Sequence, residues 1–316
     1  MKKILSLVLA VMVLTASATA AFGAELTVRM VSGGADAREE GLRPGEEYRF
    51  PLMIRYEDEV PTHLRQEEGE GKRFSLAIQS GEEVILPPRI ETEGGRYYLT
   101  VTTKPIYGTK TAQAEILVRL QDEKTGKELG RDTIRMEVGS PAMKGVEDLP
   151  AGEALRVSNA APVLTSDHFR CLAEKNDGEE VILAGPGWEY QVDVTNVTDK
   201  NLYSTAAVLP EVLEKYPEQE FRFLSFPGNP DFQAPGTLTV DVSDLSASYG
   251  GEFYLYRYLG DRLYYLRSQY DSENETLTFR PSQLGSYVIT DREIGDMEVR
   301  RVMTGALEAV AAKRSA

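Results

Sequence analysis

The stretch Asp167-His168-Phe169-Arg170-Cys171 places a carboxylate, an imidazole and a thiol within five residues. These are the parts from which a cysteine nucleophile and its base can be assembled. The flanking pattern reads as a strand over residues 168–174, and strand side chains alternate, so residues three apart face opposite ways. A cysteine–histidine couple needs hydrogen-bond contact. The expectation is therefore a buried Cys171 beside a surface His168, with no nucleophile. The chain has only two histidines and one cysteine. The other histidine, His63, falls in a polar stretch with no neighbouring set of ligands, so a zinc site of common type would have to be built mostly from carboxylates. No glycine-rich phosphate loop precedes a helix, and no G-x-S-x-G elbow occurs. Acidic side chains number 50, so a pair of carboxylates at glycosidase spacing carries no information. The chain reads as non-enzymatic, with no catalytic residue, no metal and no cofactor assigned.

The features that suggest binding lie further on. Residues 251–259 read as a strand with Tyr254, Tyr256 and Tyr258 on one face and Phe253, Leu255 and Leu259 on the other. If the second set faces the core, the three tyrosines form an exposed row on which sugar rings or a partner's apolar groups can lie. Tyr264, Tyr265, Tyr270 and Tyr287 read as shared packing. The run FRFLSFPGNPDF, residues 221–232, contains a rigid turn. Pro227 presets its first corner, Gly228 would supply the positive φ of a type II turn, and Pro230 would hold Asn229 extended. This turn reads as serving the fold.

The elements that must position these residues are mostly strands. Residues 1–23 carry Lys2 and Lys3, an apolar run from Ile4 to Leu14 and then small residues, the pattern of a secretory signal peptide too short in its apolar part to span a bilayer. The predicted location is outside the cell, secreted or associated with the envelope, with no stable membrane span once the leader is removed. One cysteine excludes an internal disulfide, which fits a bacterial exported protein. The formal net charge is −15, and so acidic a surface disfavours nucleic acid and anionic lipid as partners.

From 25 to 138 apolar residues recur with period two, as in residues 98–102 and 114–120, separated by Arg43-Pro44-Gly45-Glu46, Glu93-Gly94-Gly95-Arg96 and residues 123–127. This pattern predicts a first β-sandwich. Residues 139–159 lose the periodicity and are expected to be a linker. Strands resume over 160–294 as a second β-sandwich, with Asn176-Asp177-Gly178 read as a hairpin turn and one short helix at 209–216 between Pro210 and Pro217. Residues 297–313, inside a tail of 295–316, show apolar spacing of three and four and are predicted to form an amphipathic helix that could dock on a partner. The fold class is all-β: two Ig-like sandwiches, a short helix in the second, and a C-terminal helix.

The segments Lys215-Tyr216-Pro217, FRFLSFPGNPDFQAPGTLTV, FYLYRYLGDRLYYL and LGSYVITDREI together resemble the carboxyl-terminal module of uncharacterised secreted and surface proteins of clostridia and related Gram-positive gut bacteria. Residues 42–56 and 96–120 are similar, more loosely, to the β-sandwich that precedes that module. The resemblance implies a surface module and no activity. The expected function is binding or adhesion to an extracellular protein or glycan. The alternative is a carbohydrate-binding protein using the Tyr254/Tyr256/Tyr258 row, or, further off, a carboxylate-dependent glycoside hydrolase.

Overall fold

The computed structural model of the protein describes residues 24–32, 35–36, 41–56, 60–245 and 252–294. The expected leader and the expected C-terminal helix lie outside these residues. The chain is all-β in two compact units. The first takes residues 47–102 and 113–136 with the described residues before 42, and the second takes 42–46, 103–112 and the chain from 137 onward.

Strands of three or more residues are labelled in chain order. The first unit holds β1 (Ala24–Val28), β2 (Glu47–Tyr56), β3 (Lys72–Ser80), β4 (Arg89–Glu93), β5 (Arg96–Thr102), β6 (Ala112–Asp122) and β7 (Glu128–Val138). One sheet runs β1-β2-β5-β4, with the pair Thr62–His63 also lying against β2, and the other runs β7-β6-β3. Period-two patterning produces this arrangement: β6 buries Ala114, Ile116, Val118 and Leu120, and β2 buries Phe50, Leu52 and Ile54, so each strand turns one face inward. His63 therefore belongs to a short edge strand, where a polar stretch was expected. Its register partner is Met53.

The second unit holds α1 (Ser166–Lys175), β8 (Val181–Gly185), β9 (Trp188–Val192), α2 (Pro210–Lys215), β10 (Phe221–Ser225), β11 (Thr237–Asp241), β12 (Tyr254–Leu259), β13 (Arg262–Leu266), β14 (Gln269–Asp271), β15 (Thr276–Phe279) and β16 (Ser286–Thr290). One sheet runs β8-β9-β11-β15-β14, extended beyond β8 by the parallel pair Leu155–Arg156, and the other runs β10-β16-β12-β13. Its core gathers Trp188, Tyr190, Phe226, Phe232, Leu238, Leu255, Tyr287 and Ile289. Residues 139–159, expected as a linker, supply Val146, Leu155 and Val157 to this core. Proline and glycine content marks irregular chain but does not say whether that chain packs.

The expected strand over 168–174 is a helix. Thr165 Oγ1 accepts the His168 N–H and His168 Nδ1 accepts the Thr165 N–H, each at 3.3 Å, a reciprocal cap that satisfies two donors at the helix start. Phe169 and Leu172, one turn apart, are the buried pair. Nor is Asn176-Asp177-Gly178 a hairpin turn: it ends α1, with Asp177 and Gly178 at φ of 54° and 78° and the Gly178 N–H donating to the Ala173 carbonyl at 2.9 Å.

Candidate functional site

The sheet β10-β16-β12-β13 carries the tyrosines singled out in the sequence. Tyr254, Tyr256 and Tyr258 share a face of β12, as alternation requires, but they do not form an exposed row. Tyr256 is fully buried among Val212, Phe223, Leu263, Val288 and Ile294. Its hydroxyl accepts the Ile294 N–H at 2.7 Å, and burial pushes its pKa up. Tyr254 and Tyr258 are half-buried, and the Tyr258 hydroxyl donates to Glu211 Oε1 at 2.7 Å. The cause is α2: its Val212 is buried in the same cluster as Tyr256, while Leu255, Tyr287 and Ile289 pack into the main core. Strands of a sheet buried on both faces read as near-continuous apolar runs, and nothing in residues 209–216 says which sheet the helix will cover.

The exposed rings are on the neighbouring strand. Leu259 and Arg262 flank a two-residue turn in which Gly260 and Asp261 have φ of 57° and 65°, the pattern of a type I′ hairpin. β13 is the last strand of its sheet. Tyr265, opposite Tyr256, is 56% exposed on one face, and Tyr264, opposite Arg257, is 46% exposed on the other. Leu259 is 57% exposed near the tip. The expectation that Tyr264 and Tyr265 are shared packing is thus corrected, whereas Tyr287 is buried and Tyr270 is packed against the core. Since Leu259 and Arg262 exchange backbone hydrogen bonds in such a hairpin, Leu263 and Tyr265 turn their N–H and C=O groups away from β12. β13 therefore offers outward backbone groups with an aromatic ring above and below. Its place at the sheet edge, which no local pattern encodes, is what the sequence left hidden.

The other candidates are accounted for locally. In helix α1, His168 and Cys171 lie on neighbouring positions of one face, so the argument from strand alternation does not apply. Instead, His168 Nδ1 is committed to the cap, and Cys171 is half-exposed where a buried thiol was expected. Among the described residues, no group of three or more His, Cys, Asp and Glu is placed to hold a metal, and no helix is long and apolar enough to cross a membrane. A hollow of about 220 Å³ opens beside Asn159, Gly187, Tyr203 and Arg222. Its polar groups are engaged: Asn159 bonds both backbone groups of Ser204, and Arg222 Nη1 meets Asp244 Oδ2 at 2.7 Å.

The turn at 226–229 is closed by the Asn229 N–H donating to the Phe226 carbonyl at 2.9 Å. Gly228 does not have positive φ, which excludes type II, and Asn229, expected to be extended by Pro230, has φ of 45°. Asparagine tolerates this region because its amide bonds locally, here through Nδ2 to the Pro227 carbonyl at 3.1 Å. Gly228 is required by close approach: a Cβ there would stand 3.0 Å from the Tyr107 carbonyl oxygen and 3.1 Å from that of Asn201. Asn229→Ala is accordingly expected to cost about 1–2 kcal/mol, the usual cost of a left-handed alanine, and Asn229→Gly far less. Urea midpoints of the two variants check this; equal midpoints would overturn the assignment.

No family model matches the chain, and no curated protein matches it significantly. Among solved structures, the chain is similar to tripeptidyl peptidase 2 at 11% identity and a TM-score of 0.21, covering 85% of this chain and 19% of the peptidase, so it spans about a fifth of that protein. It is also similar to a structure titled BspA_C_WT, at 9% identity and a TM-score of 0.23 over 85% of this chain and 91% of the other. A 3Ig segment of titin matches at 12% identity and a TM-score of 0.16 over 81% and 86%. Likenesses at these scores carry no argument about what the chain does.

Proposed function

We propose that the protein is an exported, non-enzymatic binding protein of the bacterial exterior, and that it engages an extended segment of another extracellular protein along β13. The observation that supports this reading is the placement of Tyr264 and Tyr265, exposed on opposite faces of a terminal strand. An incoming strand adds to such an edge through main-chain hydrogen bonds, with rings on either side to grip its alternate side chains. A sugar-binding platform places its rings on one face, so this geometry favours a peptide over the carbohydrate alternative. Export rests on the leader pattern of residues 1–23.

The test is a pull-down from bacterial envelope extracts beside a glycan array, run with the unaltered protein and with Tyr264→Ser/Tyr265→Thr. Tyr264 is exposed, and its replacement should cost no more than about 0.5 kcal/mol, while that of Tyr265, edge-on to the buried Tyr256 at 5.8 Å, should cost about 0.5–1.5 kcal/mol. Binding to the captured protein should weaken about thirty-fold, in line with roughly 2 kcal/mol for aromatic anchors. A captured partner indifferent to both substitutions, or glycan binding alone, would refute the strand-addition reading.

A further inference from the structure

A second surface, in the first unit, has a different chemistry. On the sheet β1-β2-β5-β4, Thr27 lies opposite Met53, Met53 opposite His63, Pro51 opposite Tyr98, and Arg96 opposite Glu93. Paired residues share a face and alternate residues keep it, so Arg29, His63, Arg96 and Tyr98 stand on one outward face of four neighbouring strands. Tyr98 is half-buried, its ring 6.5 Å from the His63 ring.

The chain carries 50 acidic and 35 basic side chains, and most arginines of this face have found a glutamate. Arg49 meets Glu91 and Glu93, Arg55 meets Glu25, and Arg89 meets Glu47 and Glu91. The exposed guanidiniums of Arg29 and Arg96 have no acidic partner among the described residues. His63 Nδ1 is buried and makes no hydrogen bond. Two uncompensated cations beside an unbonded ring nitrogen make a concentration of donors on an otherwise acidic protein. At physiological salt, charges beyond about 8 Å are largely screened, so this local set rather than the net charge decides what a small ion meets.

We propose that Arg29, His63 and Arg96 form a site for a compact oxyanion: a carboxylate, sulfate or phosphate group. The two guanidiniums supply charge-assisted hydrogen bonds, and His63 supplies a third donor once protonated. Burial, then Arg96, then Arg29 hold the His63 pKa below its ordinary value, so the free protein carries a neutral imidazole at neutral pH. An anion that neutralises the arginines removes part of that depression, so binding takes up a proton and tightens as pH falls. The other charged groups of this face are Glu25 on β1, Glu47, Arg49 and Arg55 on β2, Arg89, Glu91 and Glu93 on β4, and Arg65 two residues after His63. All four of these glutamates and Arg49, Arg55 and Arg89 are paired as above, and Arg65 lies 3.7 Å from Glu67.

The two histidines give a direct readout. In NMR titrations of the full chain with inorganic sulfate, inorganic phosphate, galacturonate and neutral galactose, the His63 imidazole resonances should move and saturate with one or more of the anions. Galactose should not move them, and His168, held in its helix cap, should stay still. The anion that saturates at the lowest concentration identifies the group. Arg29→Ser/Arg96→Ser should weaken binding at least about tenfold with the amide spectrum otherwise unchanged. His63→Gln, followed on backbone amides of this face, should remove most of the tightening at low pH. His63 resonances unmoved by every anion, or shifts that survive loss of both arginines, would overturn the proposal. Both results are independent of the β13 experiment.

Discussion

Trp188→Ala is expected to lower the unfolding free energy of the second unit by about 3–5 kcal/mol, the range for deleting a large aromatic from a packed core. The indole is 3% exposed and meets Phe226 edge-on at 5.0 Å. Its Nε1–H donates to Ser204 Oγ at 2.9 Å in a buried bond, and Gly185 lies so close that a Cβ there would stand 2.4 Å from the ring. Neighbours so placed cannot collapse into the vacated space, and Ser204 is left with an unanswered acceptor. Trp188→Phe keeps most of the volume and should cost roughly half as much. Urea unfolding followed by circular dichroism measures both, since the alanine variant loses the chain's only tryptophan. A cost below about 1 kcal/mol would mean that this core is not packed as described.

In the first unit, Gly81→Ala is expected to cost about 2–4 kcal/mol. Gly81 has φ of 86°, and a Cβ there would stand 2.6 Å from both Cα and Cβ of Ala114 and 2.8 Å from the Gln113 carbonyl oxygen. The left-handed backbone accounts for about 1–2 kcal/mol of this. The rest is a contact with backbone atoms that cannot rotate away. The nearby Ile78–Ser80 stretch of β3 already shifts register against β6, so relief must come from moving the strand itself. Gly71→Ala is the control: it shares positive φ, but nothing lies within 4 Å of its Cβ position, so it should show only the conformational part. Denaturation midpoints separate the two, and equal losses would refute the steric argument.

Parts of this molecule were legible in its sequence. The strands of the first unit were, because Ala114, Ile116, Val118 and Leu120 recur at every second position, broken on the other face only by Leu117 between Glu115 and Arg119, and sheets with one buried face enforce that period. The all-β sandwich class followed from the number of such runs. Helix α1 was not, because Phe169 and Leu172 are too few to declare a period against flanking strands, although the Thr165-x-x-His168 cap was present to be noticed. The Pro-Gly pair at 227–228 was read by its commonest chemistry, whereas the local crowding by Tyr107 and Asn201, distant in sequence, decides why the glycine is there. The candidate surfaces were the least legible. Tyr256 and Tyr265 are both tyrosines on β-strands, and only the order of strands and the position of α2 make one a core residue and the other an exposed ring.

The division of the chain has a consequence for how such a protein can be cut and recombined. Residues 42–46 and 103–112 belong to the second unit although they lie within the sequence span of the first. Leu42, fully buried, donates its N–H to the Glu137 carbonyl at 2.7 Å and accepts the Gly139 N–H at 2.9 Å. A protease that nicks once within residues 139–159 therefore leaves the first unit whole in the front piece but splits the second, because the front piece keeps segments that the back piece needs. Transplanting residues 160–294 alone onto another protein would likewise leave Asn201 without Gly108 and Ser140, to which its amide donates at 2.9 and 3.0 Å. The second unit travels as a module only if the first travels with it.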